Sequence, residues 1–263
     1  VRSLLLGLTH SSLAKAPIGD ATTAKFYKKI TRYSANLALV ADTAMLTLGG
    51  KLKVKEKLSA RLGDVLSQLY IMSAMLKRYE DQGRPVADYP LLAWAMHDAV
   101  YKMQDALDGV LRNFPIRPVA WMLRALVFPI GLRERAPADR LGHRVCTLLL
   151  APSETRNRLV EGVYLTPNAN NVPGRMHHAL DKVIASEPVE RKVVKAIKAG
   201  QIVALEAAAQ LDEAVQKNVI TAAERDLLAE VRVLTNEFIA VDDFDSAELE
   251  AATAAKRAAL KAV

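Results

Sequence analysis

Leu58-Ser-Ala-Arg-Leu-Gly-Asp-Val-Leu-Ser-Gln-Leu-Tyr-Ile-Met-Ser-Ala-Met-Leu-Lys-Arg-Tyr79 is the stretch from which the fold can be read. Leu58, Leu62, Val65, Leu66, Leu69, Met72, Leu76 and Tyr79 recur at three- and four-residue steps, the period of a helix with one apolar face. The pattern predicts a helix from about Lys53 to Asp81, ended by Gly83 and Pro85. Upstream, Leu37, Val40, Ala41, Ala44 and Leu48 share a face of a helix beginning near Ala21. Asp20 would cap its start, and Gly49-Gly50 would stop it. Downstream, Leu92, Ala95, Met96, Ala99, Val100, Met103, Leu107 and Val110 mark a third helix, from an Asp88 cap through Arg112. Long helices joined by short turns predict an all-α, up-and-down antiparallel bundle.

The rest of the chain is less regular. Pro115, Pro118 and Pro129 interrupt residues 112–135. A fourth bundle helix is expected from Pro137, a suitable first-turn position, to about Leu150, with a short helix from Pro152 toward Leu159. Thr166 to Gly174 reads as a loop. Beyond it the pattern predicts short helices over 175–185, 188–199, 203–217 and 221–239, the last with Thr221 and Glu224 as a capping box. From Ser246 the chain is Ala-, Lys- and Glu-rich and reads as a lone surface helix or a frayed tail. Two regions are expected: a helical bundle over 1–165 and a short-helix extension over 166–263.

Of the 263 residues 51% are apolar and 25% charged, ordinary for a globular chain able to bury a core. The formal net charge of +7 favours anionic partners, whether a phospholipid surface, nucleic acid or a phosphorylated ligand. Nucleic acid is disfavoured, because no helix-turn-helix or RNA-binding signature accompanies the charge. No run approaches the roughly 20 apolar residues of a membrane span. Val1-Arg-Ser-Leu-Leu-Leu-Gly-Leu8 is too short for a signal-peptide core. It is read as the interior of a longer chain, beginning part-way through a helix. Cys146, the one cysteine, lies in an apolar run and is expected to be a reduced core thiol in the cytoplasm.

Catalytic and metal-binding patterns are sparse. Gly49-Gly50-Lys51 lacks the spacing of a phosphate-binding loop. His177 and Asp181 stand one helical turn apart, but no third metal ligand is evident. Asp42 borders the apolar stripe of its helix and needs a partner there. A buried ion pair to an arginine such as Arg61 is the structural reading, and acid–base chemistry the functional one.

Two basic features stand out. Lys51, Lys53, Lys55, Lys57 and Arg61 open the central helix, where the macrodipole opposes positive charge. They read as a solvated face or as a contact for an anionic surface. In residues 112–135, Trp121, Met122, Leu126, Val127, Phe128 and Ile130 alternate with Arg117, Arg124, Arg133 and Arg135. That is the composition of an interfacial helix. It also suits a connection tucked against the bundle, or a contact with a partner domain.

Longer strings carry a resemblance. They include Leu48-Gly-Gly-Lys-Leu-Lys53, Leu58 to Tyr70, Leu76-Lys-Arg-Tyr-Glu-Asp-Gln-Gly-Arg84, Arg112-Asn-Phe-Pro115, Val127-Phe-Pro-Ile-Gly131 and Ala138-Asp-Arg-Leu-Gly-His143. Pro152-Ser-Glu-Thr-Arg156, Gly162-Val-Tyr-Leu-Thr-Pro167, Val1-Arg-Ser3 and Val241-Asp-Asp-Phe-Asp245 extend it. Together they resemble the C-terminal helical region of bacterial, FadE-type long-chain fatty acyl-CoA dehydrogenases. The likeness is dense over about 1–185 and thin over 190–240.

The resemblance implies an FAD-dependent enzyme of fatty-acid β-oxidation. Such an enzyme converts acyl-CoA to trans-2-enoyl-CoA and passes electrons to an electron-transfer flavoprotein, commonly as a homodimer. It also implies peripheral association with the inner membrane, since larger members with extra C-terminal helices are found there. The family's catalytic glutamate stands in a Glu-Gly-x6-Arg string, and a Gly-Gly-x-Gly turn contributes to its flavin site. Neither occurs here, and Glu161-Gly162 has Ala169 where the arginine belongs. No catalytic or flavin-binding residue is therefore assigned, and those elements are expected upstream of Val1. The alternatives are a stand-alone, non-catalytic lipid- or partner-binding helical module, or an adaptor for an acidic partner.

Overall fold

The computed structural model describes residues 1–17, 21–240, 246, 247, 249, 250 and 253. The Asp20 cap, residues 241–245 and most of the Ala-rich tail lie outside the described residues. Among the described residues, every regular element is helical. The chain forms two compact units, Val1–Thr155 and Arg156–Val263.

In the first unit α1 is Arg2–Leu8, α2 Ala21–Leu48, α3 Lys51–Val54, α4 Glu56–Asp81, α5 Tyr89–Arg112, α6 Arg117–Val127 and α7 Asp139–Leu150. Helices α2, α4 and α5 are the long antiparallel members. Their inward stripes meet in one core: Phe26, Tyr33 and Val40 of α2; Val65, Met72 and Leu76 of α4; Met96, Met103 and Leu107 of α5. Turn chemistry sets the reversals. Gly49 stops α2 with a φ of +53°. After α4, Gly83 takes a φ of +78° and the Arg84 N–H reaches back to the Tyr79 carbonyl at 2.9 Å, the αL ending that glycine permits.

Several expectations are corrected. The central helix is split at Lys55, into α3 and α4, and the Ser59 hydroxyl ties them by donating to the Leu52 carbonyl at 2.9 Å. Leu66 faces solvent at 60% exposure, because the buried stripe runs through Val65 and Leu69 instead. Asp42 is exposed and so needs no buried partner. Residues 117–127 form a true helix: Pro118 falls in its first turn, where the missing N–H costs nothing. Ala120, Leu123 and Val127 give α6 its own buried face. Helix α7 starts at Asp139 rather than Pro137 and fully buries only Val145, which leaves Cys146 exposed rather than in the core.

Helix α8, Glu154–Val160, spans the division between the units. The second unit holds α9 (Val172–Lys198), α10 (Ala207–Gln216) and α11 (Ala222–Ile239). One helix replaces the two expected over 175–199 and also takes up the end of the expected loop. Ala179, Ser186, Val189, Val193 and Ala196 form one buried stripe that runs straight past Pro188. Burying Val189, Val193 and Ala196 of that stripe with Leu211, Ala214 and Leu228 outweighs the lost N–H. The α11 capping box forms as expected: Thr221 N–H donates to Glu224 Oε2 at 2.8 Å, and Glu224 N–H to the Thr221 hydroxyl at 3.2 Å.

Candidate interaction surface

The antiparallel path returns the end of α5 to the start of α4. Lys55, Lys57 and Arg61 therefore line one cleft of about 480 Å³ with Asn113. Arg61 and Arg112 line a second, between α4 and α5, together with Lys102, Asp64 and Asp105. The start of α4 and the end of α5 thus share this end of the first unit.

Lys51, Lys53, Lys55 and Lys57 are all exposed, and none has an ion-pair partner among the described residues. Lys55 is the N-cap of α4 and supplies no capping side chain. The first N–H groups of that helix and the lysines thus present positive charge together. Arg61 lies across Gly109, where an added Cβ would stand 2.8 Å from its Nε. That close approach has room because position 109 carries no side chain. It also places Arg61 against α5, far from the role of partner to Asp42.

The arginines of residues 112–135 divide into two kinds. Arg117 is exposed and donates to the Arg112 carbonyl at 2.8 Å. Arg124 donates to Asp108 Oδ1 at 2.5 Å, and Arg112 Nε lies 2.7 Å from Oδ2. Arg124 is therefore part of the α5–α6 junction. Arg133 lies elsewhere, its Nη1 2.9 Å from His10 Nε2.

The apolar residues divide too. Trp121 is 64% and Met122 50% exposed on the outer face of α6, while Phe128 is 4% exposed and belongs to the core. Phe128 is therefore no surface contact, and its place among the candidates is corrected on that ground. Val54 adds an exposed apolar side chain between the lysines. The lysines of α3 and α4 make a basic surface, and an indole and a thioether project from α6. The lysines can attract anions, and the indole and thioether can insert into an apolar layer.

Asp108 and Gln104 were missed by the sequence reading. Both stand on the buried face of α5, and a polar residue inside an apolar stripe was the available signal. In the second unit His177 is engaged by Arg156 (Nη2 to Nδ1, 2.7 Å), with Asp181 3.5 Å from Arg156 and 3.6 Å from His177. An arginine occupies the place between the two groups considered for a metal. Among the described residues no three His, Cys, Asp or Glu side chains converge as a metal site would require, and no helix is long and apolar enough to cross a membrane.

Residues 1–244 match the family described as acyl-CoA dehydrogenase, C-terminal, bacterial type. No solved structure matches the chain.

Proposed function

The chain belongs to the bacterial-type acyl-CoA dehydrogenase C-terminal family, and from this we propose that it is the accessory helical region of an FAD-dependent dehydrogenase of fatty-acid β-oxidation. The whole enzyme would take acyl-CoA to trans-2-enoyl-CoA and hand electrons to an electron-transfer flavoprotein, as a homodimer. The basic cleft does not fit a flavin. The cleft at the start of α4 offers charge and helix N–H groups, but its apolar walls are only Val54 and Leu58, too little to enclose a flavin ring. No redox step is derived for these residues, and the flavin and the catalytic base are assigned to the family's catalytic region. Purified chain is expected to show no flavin absorbance and no acyl-CoA oxidation by itself. A bound flavin would overturn that assignment.

The chain's own role in this reading is to dock on the catalytic region and to rest its basic end on the anionic face of the inner membrane. The features that support it are the exposed Lys51, Lys53, Lys55 and Lys57 of α3 and the start of α4, the exposed Arg117 beside Arg112, and the exposed Trp121 and Met122 of α6. Charge draws such a surface to anionic lipid, and the indole anchors it at headgroup depth. Sedimentation with vesicles of anionic phospholipid tests this. Binding should weaken as salt rises, and Trp121→Ala with Lys53→Glu and Lys57→Glu should reduce it by about tenfold or more. Arg124 is left intact in this variant because Asp108 needs it. Binding unchanged by the triple substitution would overturn the membrane role.

A further inference from the structure

Helix α4 carries no charge from Val65 to Leu76. Half of that stretch faces the core through Val65, Leu69, Met72 and Leu76. The other half faces outward. Leu66 is 60% and Tyr70 76% exposed, and Ser67, Ile71 and Ala74 are exposed beside them. Nothing lies within 4 Å of where a Cβ on Gly63 would stand, at the N-terminal edge of the same face. A helix with one face in water ordinarily carries charge there, and one that is apolar all round is buried. The outer face of α4 has the composition of a covered surface.

We propose that a second copy of this chain covers it, α4 against α4, antiparallel about a two-fold axis near Tyr70 and Ile71. The charge pattern along the helix selects this occupant. The uncharged stretch is bounded by Asp64 on its N-terminal side and by Lys77 and Arg78 on its C-terminal side. Antiparallel pairing lays the uncharged stretch on itself. It also sets Asp64 of each copy toward Lys77 and Arg78 of the other, twice over, as a two-fold contact requires. A parallel arrangement would set acid beside acid and base beside base. Asp64 has no ion pair among the described residues of its own chain. Lys77 leans on Asp81 at 2.5 Å, an exposed pair of the kind that contributes little and can be exchanged. Gly63, Ser67 and Ala74 let two helix backbones approach, and Leu66 and Tyr70 fill the seam between them.

The inference rests on the reading that the chain self-associates, and it adds the face that does so. A single helix pair lies at the low end of stable interfaces, roughly 1,200 Å² in total, so the dimer should dissociate on dilution. Sedimentation equilibrium of the chain, without lipid, tests it. Wild type should be a dimer at high concentration. Tyr70→Glu should raise its dissociation constant by about tenfold or more, as loss of a central aromatic does, with the urea midpoint unchanged. Asp64→Lys alone should weaken the dimer, and Asp64→Lys with Lys77→Glu and Arg78→Glu should restore it. In a Cys146→Ser background, Ile71→Cys should form an inter-chain disulfide on oxidation. A dimer indifferent to Tyr70→Glu and to the charge swap would overturn the face while leaving self-association standing. A monomeric wild type at every concentration would overturn both. Neither result decides vesicle binding, whose test substitutes Lys53, Lys57 and Trp121.

Discussion

Asp108 of α5 and Arg124 of α6 are joined at 2.5 Å, and the aspartate side chain is only 8% exposed. Its second carboxylate oxygen is held by Arg112 at 2.7 Å. The carboxylate is thus satisfied from both sides, while the two guanidinium groups keep part of their hydration. Asp108→Asn preserves the shape and removes the charge. The expected cost is about 1–3 kcal/mol, the worth of charge-assisted hydrogen bonds near the protein surface. Urea unfolding measures it. An unshifted midpoint would mean that burial of Leu123 and Val127 alone holds α6 in place.

His97 meets the Phe26 ring edge-on, with centroids 5.7 Å apart. Burial holds its imidazole below the ordinary value of 6.5; Lys25 and Lys29 push the same way, and Glu134 opposes them. The folded protein therefore favours neutral His97, while the unfolded chain takes up a proton near the ordinary value. Stability from this group is complete above about pH 6.5 and is lost as pH falls through the depressed folded value. The melting temperature should drop between about pH 7 and about pH 5, and His97→Gln should flatten that slope. An equal slope in the variant would assign the acid sensitivity to other groups.

In the second unit the Thr221 hydroxyl accepts the Glu224 N–H, and the Glu224 carboxylate also meets Lys192 at 2.7 Å. Thr221→Ala should destabilise this unit by about 1 kcal/mol, a usual N-cap loss. Hydrogen exchange should report faster opening of α11, with α4 and α5 unaffected. The hydrogen bond from Lys192 and that from the Thr221 N–H hold the Glu224 carboxyl below the usual carboxylate range. The cap's contribution should therefore persist through mild acid and fade only as pH drops through that depressed value. Uniform protection in the variant would show that the box is incidental to α11.

The long helices were legible because one-sided burial imprints its period on the sequence, as from Leu58 to Tyr79. The misreadings have separate causes. Cys146 sits in an apolar run, but α7 fully buries only Val145, so hydrophobicity there does not report a core. Pro188 reads as a helix break by local preference, and the stripe from Ala179 to Ala196 overrides it. The lysine run and Trp121 were each visible as features. The cleft that joins the start of α4 to the end of α5 was not, since it follows from the antiparallel return of α5 and not from any local string. Phe128 shows the limit of composition: it shares its segment with Trp121, yet one side chain faces the core and the other water.

The Gln104 side-chain amide donates to the Glu134 carbonyl at 3.0 Å and accepts from the Arg133 and Glu134 N–H groups at 2.8 and 2.9 Å. A side-chain amide is chemically a peptide group, and here it plays the part of a neighbouring strand one rung long. Coil between α6 and α7 is thereby fastened as firmly as regular structure would be. A protease that needs an extended, detachable segment should find the bond after Arg133 closed to it, although that arginine is exposed.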